Sequence, residues 1–166
     1  MILIDNTVLS NYALTDRLCL LRAFCVGRGM TTDAVLSEFQ AGAERNLFKE
    51  TDISWVRQTK IRDRAERRLF QALRARLGAG EASCLAVAIR RKHNLLTDDM
   101  DAREVALREG VRLSGSVGVL VSLINRRRIS LDEGNAALWE LIAAGYFSPV
   151  ESLDGLILNV LGSSRT

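Results

Sequence analysis

The sequence predicts an α/β fold built on a parallel sheet, and three observations carry that prediction. Short β-like runs alternate with longer segments of helical spacing, as in successive βα units. The first run, Met1-Ile2-Leu3-Ile4, is wholly apolar, as suits a strand covered on both faces. Glycines and capping residues fall between the runs and divide the chain at short intervals.

The elements follow in order. Met1 to Ile4 reads as a buried strand ending at Asp5. Thr7 to Leu14 and Asp16 to Phe24 read as helices, with Val8, Leu9, Leu18, Leu21 and Phe24 at roughly helical spacing. Gly27 to Thr31 holds a short strand, and Thr32 caps a helix that runs through Ala41 and ends at Gly42. A weak strand is expected from Ile53 to Val56, then a highly charged helix from Lys60 to Leu77. Gly78-Ala79-Gly80 breaks that helix. Glu81 opens the next, to about Lys92, with Ala82, Leu85, Ala88 and Ile89 on one face. Leu95 to Thr97 is a strand, Ala102 to Glu109 a helix stopped by Gly110, and Val111 to Leu113 the last strand. Val117 to Arg127 forms a helix. Ser130 and Glu133 make a capping box for a helix to Ala144, and Pro149 begins a final one. Residues 1–166 contain no repeat and no linker, so a single domain is expected.

Composition excludes several classes. A 48% apolar chain can bury a full core, and none of its apolar runs reaches the roughly 18 residues of a membrane span. The N-terminus carries no charged region ahead of its short apolar stretch, which points to a soluble, cytoplasmic protein. Three scattered cysteines and one histidine, His93, form no zinc pattern; the thiols, Trp55 and Trp139 are expected to pack. The net charge of +3 does not announce a nucleic-acid binder, but almost all the positive charge is arginine, whose planar fork suits phosphate.

The acids carry the chemistry. Asp5 ends the first strand, Glu38 lies in the second half of its helix, Glu81 opens a helix, and Asp98 and Asp99 follow a later strand. In a parallel sheet the carboxyl ends of neighbouring strands form the ligand crevice, so these carboxylates can converge. Convergence is costly unless a cation holds them, and magnesium or manganese prefers such hard oxygen ligands. Each acid also has a plainer reading: Asp5 and the Asp98-Asp99 pair as helix caps, Glu38 as a solvated face, Glu81 as a dipole partner.

Ile4-Asp5-Asn6-Thr7-Val8-Leu9-Ser10, Ala34-Val35-Leu36-Ser37-Glu38-Phe39, Leu77-Gly78-Ala79-Gly80-Glu81-Ala82, Leu96-Thr97-Asp98-Asp99 and Gly115-Ser116-Val117-Gly118-Val119-Leu120 come in the order of the PIN domain. The chain resembles the prokaryotic branch of that family related to the VapC toxins, over nearly its whole length and including Ala143-Ala144-Gly145-Tyr146 with Ser148-Pro149. The resemblance implies a three-layer α/β/α fold, with a parallel sheet of about five strands and helices on both faces. It also implies a Mg²⁺ or Mn²⁺ site and cleavage of RNA. Asp5, Glu38, Glu81 and Asp99 match the catalytic acids, with Glu81 standing where many relatives carry Asp. Asp5, Asp98, Asp99 and Glu81 are the expected metal ligands, the choice between Asp98 and Asp99 staying open. Thr7 and Thr97 match hydroxyls that orient the site.

The resemblance further implies an RNA substrate, an antitoxin protein as partner, and a homodimer. No histidine base is required, and His93 is expected at the surface. Arg62, Arg67, Arg68, Arg74 and Arg76 are candidate RNA contacts within a segment also holding Arg57, Lys60 and Arg64; Arg90-Arg91-Lys92 and Arg126-Arg127-Arg128 add smaller clusters. Leu69, Phe70 and Leu73 form an apolar stripe that could instead meet an antitoxin or a second subunit. A receiver-type phosphoacceptor would need a lysine after the last strand, where Ser114-Gly115-Ser116 stands. A haloacid-dehalogenase-like phosphatase would need Asp at position 7, which is Thr. The remaining rival is a PIN fold that binds or scaffolds without cleaving.

Overall fold

The computed structural model describes residues 1–49 and 51–157. Its elements are β1 (Ile2–Ile4), α1 (Asn6–Leu14), α2 (Leu18–Cys25), β2 (Gly29–Thr32), α3 (Asp33–Glu44), β3 (Arg57–Thr59), α4 (Arg64–Leu73), α5 (Ala79–Arg91), β4 (Asn94–Leu96), α6 (Met100–Arg108), β5 (Leu113–Ser114), α7 (Ser116–Asn125), α8 (Leu131–Ala143) and α9 (Asp154–Ile157).

The five strands form one parallel sheet in the order β3-β2-β1-β4-β5. The chain winds outward from β1 through β2 to β3, then returns to place β4 on the other side of β1. The strand order therefore reverses between β1 and β4, where open α/β sheets hold their ligands. Ile4 pairs with Leu96, so Asp5 and Thr97 leave the sheet side by side.

Helices cover both faces, giving the three-layer architecture. On one face α5 lies over β1, β2 and β4 with α3, α4 and α6 beside it. On the other, α7 packs against α2, α8 and α9, and α1 against α2 and α8. Residues 82–88 of α5 are all buried, and their small and apolar side chains let this helix sit down on the strands. Leu3, Ile4, Leu95 and Leu96 fill the sheet interior, while Tyr12, Phe39, Leu85, Leu120 and Leu123 close the helical layers over it.

Local differences from the sequence reading have identifiable causes. The third strand is Arg57–Thr59, because residues 53–56 make a turn closed by the Val56 N–H to the Ile53 carbonyl. Ile53, Trp55 and Val56 still pack on the core, which is the signal that suggested a strand. The charged helix starts at Arg64 rather than Lys60, since Asp63 takes the Glu66 N–H at 2.8 Å as its N-cap. α3 runs past Gly42 to Glu44, and the Phe48 ring occupies the space where a Cβ would stand at Gly42. No helix starts at Pro149; the last helix among the described residues begins at Asp154. The Ser130–Glu133 capping box is present. Cys25 and Cys84 are buried as expected, but Cys19 is exposed, and Trp139 is 70% exposed rather than packed. No helix among the described residues is long and apolar enough to cross a membrane.

Candidate functional site

Asp5 is fully buried at the end of β1. It stands at the N-cap position of α1, yet its side chain makes no capping bond there. Oδ2 instead accepts from Thr7 Oγ1 at 2.8 Å and from Thr97 Oγ1 at 2.9 Å. The two hydroxyls are themselves oriented from behind. The Asp98 N–H donates to Thr7 Oγ1 at 3.1 Å, and the Asp99 N–H to Thr97 Oγ1 at 3.2 Å. A backbone N–H can only donate, so each hydroxyl proton is free to point at Asp5. Among the described residues, Oδ1 of Asp5 is the one buried side-chain oxygen without a hydrogen-bond partner. Burial pushes the Asp5 carboxyl above its ordinary range, and the Thr7 and Thr97 hydroxyls, followed by the nearby backbone N–H groups of Asn6 and Thr7, offset this only in part.

Glu38, Glu81 and Asp99 gather on the α5 side of this crevice. Glu38 reaches from α3 to α5, where the Gly80 N–H donates to its Oε1 at 2.8 Å. Gly80 permits this approach, because a Cβ there would collide with Glu38 Oε2. Glu81 follows in the first turn of α5. Its carboxyl is raised by burial first, and then by the negative charges of Asp5, Glu38 and Asp99. Asp99 is the N-cap of α6, with Oδ1 accepting from the Ala102 N–H at 2.7 Å, while its other oxygen meets no hydrogen-bond donor among the described residues. Asp99 thus caps a helix and also places its charge near Glu81.

Asp98 faces the other way. Its Oδ2 accepts from Asn11 Nδ2 at 2.8 Å and from Ser116 Oγ at 2.5 Å. Its Oδ1 accepts from the Ser116 N–H at 2.8 Å and, more weakly, from the Tyr146 hydroxyl at 3.4 Å. The carboxylate is therefore occupied by α1, by the N-terminus of α7 and by the segment after α8. Asp98, one of the two residues between which the choice of metal ligand stayed open, makes its hydrogen bonds to these groups, while Asp99 caps α6. The partners Asn11, Ser116 and Tyr146 were not legible as site residues, although Thr7 and Asn11 share the i,i+4 spacing of one helix face. Arg103 was also missed; its Nη1 donates to the Thr97 carbonyl at 2.9 Å.

The donor set suits a hard divalent cation. A buried carboxylate oxygen with no donor, beside three further carboxylates, is a costly arrangement that such an ion would relieve. Among the described residues, however, no three acidic, histidine or cysteine side chains stand close enough to hold an ion as they are oriented.

The arginines divide by position. Arg91, near the end of α5, forks onto Glu66 near the start of α4, with Nε to Oε1 at 2.6 Å and Nη2 to Oε2 at 2.8 Å. α4 and α5 therefore run antiparallel, joined by residues 74–78, which lead directly to Glu81 in the first turn of α5. Arg74 and Arg76, exposed in the α4–α5 connection, are at the acid end; Arg62, Arg67 and Arg68 are exposed further away. Arg74 donates to the Leu77 carbonyl at 2.7 Å, and Arg76 approaches Glu104 of α6 at 3.6 Å. Arg91 is withdrawn from any surface cluster, since its side chain is only 17% exposed. Phe70 and Leu73 pack on the protein's own core, so the expected apolar stripe is largely spent internally.

No curated protein and no solved structure matched this chain. A family model, DUF3368, described as a PIN domain, matches residues 1–160. That match spans the parallel sheet, its helices and every acid of the crevice, and the chain belongs to the PIN-domain family, with its nuclease-type fold.

Proposed function

We propose that this protein is a Mg²⁺- or Mn²⁺-dependent endoribonuclease whose cation is held by Asp5, Glu38, Glu81 and Asp99. The observation that carries the proposal is the unpartnered Oδ1 of Asp5, fully buried among like charges. Natural proteins rarely leave such an acceptor empty without a functional reason. Rotation of the Glu38, Glu81 and Asp99 side chains, with their backbones in place, would bring the set together around the ion.

A bound cation would supply Lewis-acid activation of water and neutralise charge developing on the phosphodiester. Asp5 would present Oδ1 because Thr7 and Thr97 hold Oδ2. Asp99 would contribute the oxygen not used in capping. Glu81 would present its carboxylate from the first turn of α5. Arg74 and Arg76 would meet RNA phosphates near the acids, with Arg62, Arg67 and Arg68 following the strand along α4. The narrower form of the proposal, a cytoplasmic homodimeric toxin neutralised by an antitoxin protein, rests on the resemblance to VapC relatives.

The test is incubation of the purified protein with mixed structured and single-stranded RNAs, with Mg²⁺, with EDTA, and as Asp5→Asn. Cleavage that needs the metal and Asp5 supports the assignment; cleavage in EDTA, or an equally active variant, overturns it. The second reading, a PIN module that binds without cleaving, is favoured by the separation of the acids as oriented. Calorimetric titration with Mn²⁺ separates the two, since a pure scaffold has no reason to bind the ion through Asp5.

A further inference from the structure

We infer that Asp98 is a positioning residue that sets the rotation of α1, and through it the Thr7 hydroxyl on Asp5. The inference rests on the metal-nuclease reading above and assigns Asp98 a role outside the ligand set. Residue 98 grips α1 at two places one turn apart. Its backbone N–H donates to Thr7 Oγ1 at 3.1 Å, and its carboxylate accepts from Asn11 Nδ2 at 2.8 Å. Residues four apart lie on one face of a helix, so two tethers at that spacing fix the azimuth of the face. Thr7 is the residue that this azimuth aims, and its hydroxyl holds Asp5 Oδ2 at 2.8 Å.

The grip is anchored on the far side as well. The Ser116 N–H and Oγ bring the first turn of α7 onto the same carboxylate at 2.8 and 2.5 Å. The negative charge there also faces the positive end of the α7 dipole. Gly115 leaves room for this contact, because a Cβ at 115 would strike Asp98 Oδ1. The side-chain donors that Asp98 meets, Asn11, Ser116 and Tyr146, are neutral. Asp98 and Asp99 thus divide the labour of one strand end, Asp98 bracing the α1–α7 layer while Asp99 serves the α5–α6 layer.

The polarity of the tether can be reversed without changing net charge, which gives a test specific to this role. In Asn11→Asp/Asp98→Asn, the amide at 98 donates to the carboxylate at 11, and Ser116 Oγ can accept instead of donate. The pair is rebuilt with donor and acceptor exchanged. Asn11→Leu, close in volume, leaves the carboxylate without its α1 donor. Groups that orient ligand carboxylates typically contribute about 10- to 100-fold to affinity or turnover. We expect Asn11→Leu to weaken Mn²⁺ binding by calorimetry and to lower kcat for RNA cleavage by about 10-fold. The swapped double variant should stay within about 3-fold of wild type in both. Should Asn11→Leu fail to fold, Ser116→Ala removes one donor from the opposite side and is expected to shift both readouts in the same direction.

A swapped variant that loses Mn²⁺ binding about as completely as Asp5→Asn would make the carboxylate at 98 a ligand and overturn the inference. So would single variants at 11 and 116 that change melting temperature but leave Mn²⁺ affinity and kcat unmoved. If wild type binds Mn²⁺ through Asp5 but cleaves no RNA, the nuclease reading fails while the Mn²⁺ measurements still decide the role of Asp98.

Discussion

Thr97 on the β4 side donates its hydroxyl to Asp5 at the end of β1, Oγ1 to Oδ2 at 2.9 Å, across 92 positions of sequence. The bond exists because β1 and β4 are parallel neighbours in register, and it leaves Oδ1 as the oxygen without a hydrogen-bond partner among the described residues. Thr97→Val keeps the shape and removes the donor. The expected result is a fall of about 10-fold or more in Mn²⁺ affinity with only about 1 kcal/mol lost from stability. Thr97→Ser should recover most of the affinity. A valine variant with unchanged Mn²⁺ titration would remove the hydroxyl from the site.

The buried Asp5 carboxylate should cost the metal-free protein stability. Its carboxyl is raised in the fold, so the folded protein holds that proton more tightly than the unfolded chain, and this group favours folding more as pH falls through its folded pKa. At neutral pH, in EDTA, Asp5→Asn should therefore stabilise by about 1–3 kcal/mol in urea denaturation. Added Mn²⁺ should stabilise wild type and leave the variant unmoved. Equal stabilisation of both proteins would place the ion elsewhere.

Glu66 behaves oppositely. Arg91 beside it holds its carboxyl down to about 2, well below the usual carboxylate range. A depressed carboxyl contributes stability that is complete above its unfolded value and is lost as pH falls toward the folded one. The Glu66–Arg91 contribution should thus fade between roughly pH 4.5 and 2. Glu66→Gln should flatten the acid limb of a stability–pH curve over that window. Arg91→Met, which strands a nearly buried carboxylate, should cost about 3–5 kcal/mol, and pairing it with Glu66→Leu should recover most of the loss.

Gly80→Ala sets helix propensity against site geometry. Alanine is worth about 1 kcal/mol over glycine inside a helix, so stability should hold or rise. The new Cβ would nevertheless strike Glu38 Oε2 and push that carboxylate off the Gly80 N–H. We expect Mn²⁺ affinity to drop several-fold, on the order of 10-fold, with melting temperature maintained. A parallel loss of both would mean that Glu38 mainly ties α3 to α5.

The arginines at the acid end predict a salt signature. Arg74→Ala/Arg76→Ala should weaken binding of a single-stranded RNA and lower the log–log salt slope by about 0.7 for each phosphate no longer neutralised. Arg91→Lys should not change that slope, because Arg91 is committed to Glu66. An unaltered slope in the first variant would move the RNA path off this edge.

Much of this protein was written locally. Alternating apolar runs, the Ser130–Glu133 capping box, Thr32 as a cap and the wholly apolar first strand all act over a few residues, so periodicity and composition expose them. The placing of Asp5, Glu81 and Asp99 at element ends was likewise readable, because a parallel sheet collects such ends on one edge. Where apolar side chains packed without pairing, as at Ile53, Trp55 and Val56, local signals misplaced a strand. Tertiary structure alone decided which neighbour each carboxylate meets. Asp98 and Asp99 have the same side chain and adjacent positions, yet the chain turns one toward Asn11, Ser116 and Tyr146 and the other toward α6 and Glu81. That difference comes from groups tens of residues distant, which fix side-chain direction only after the helices have closed over both faces of the sheet.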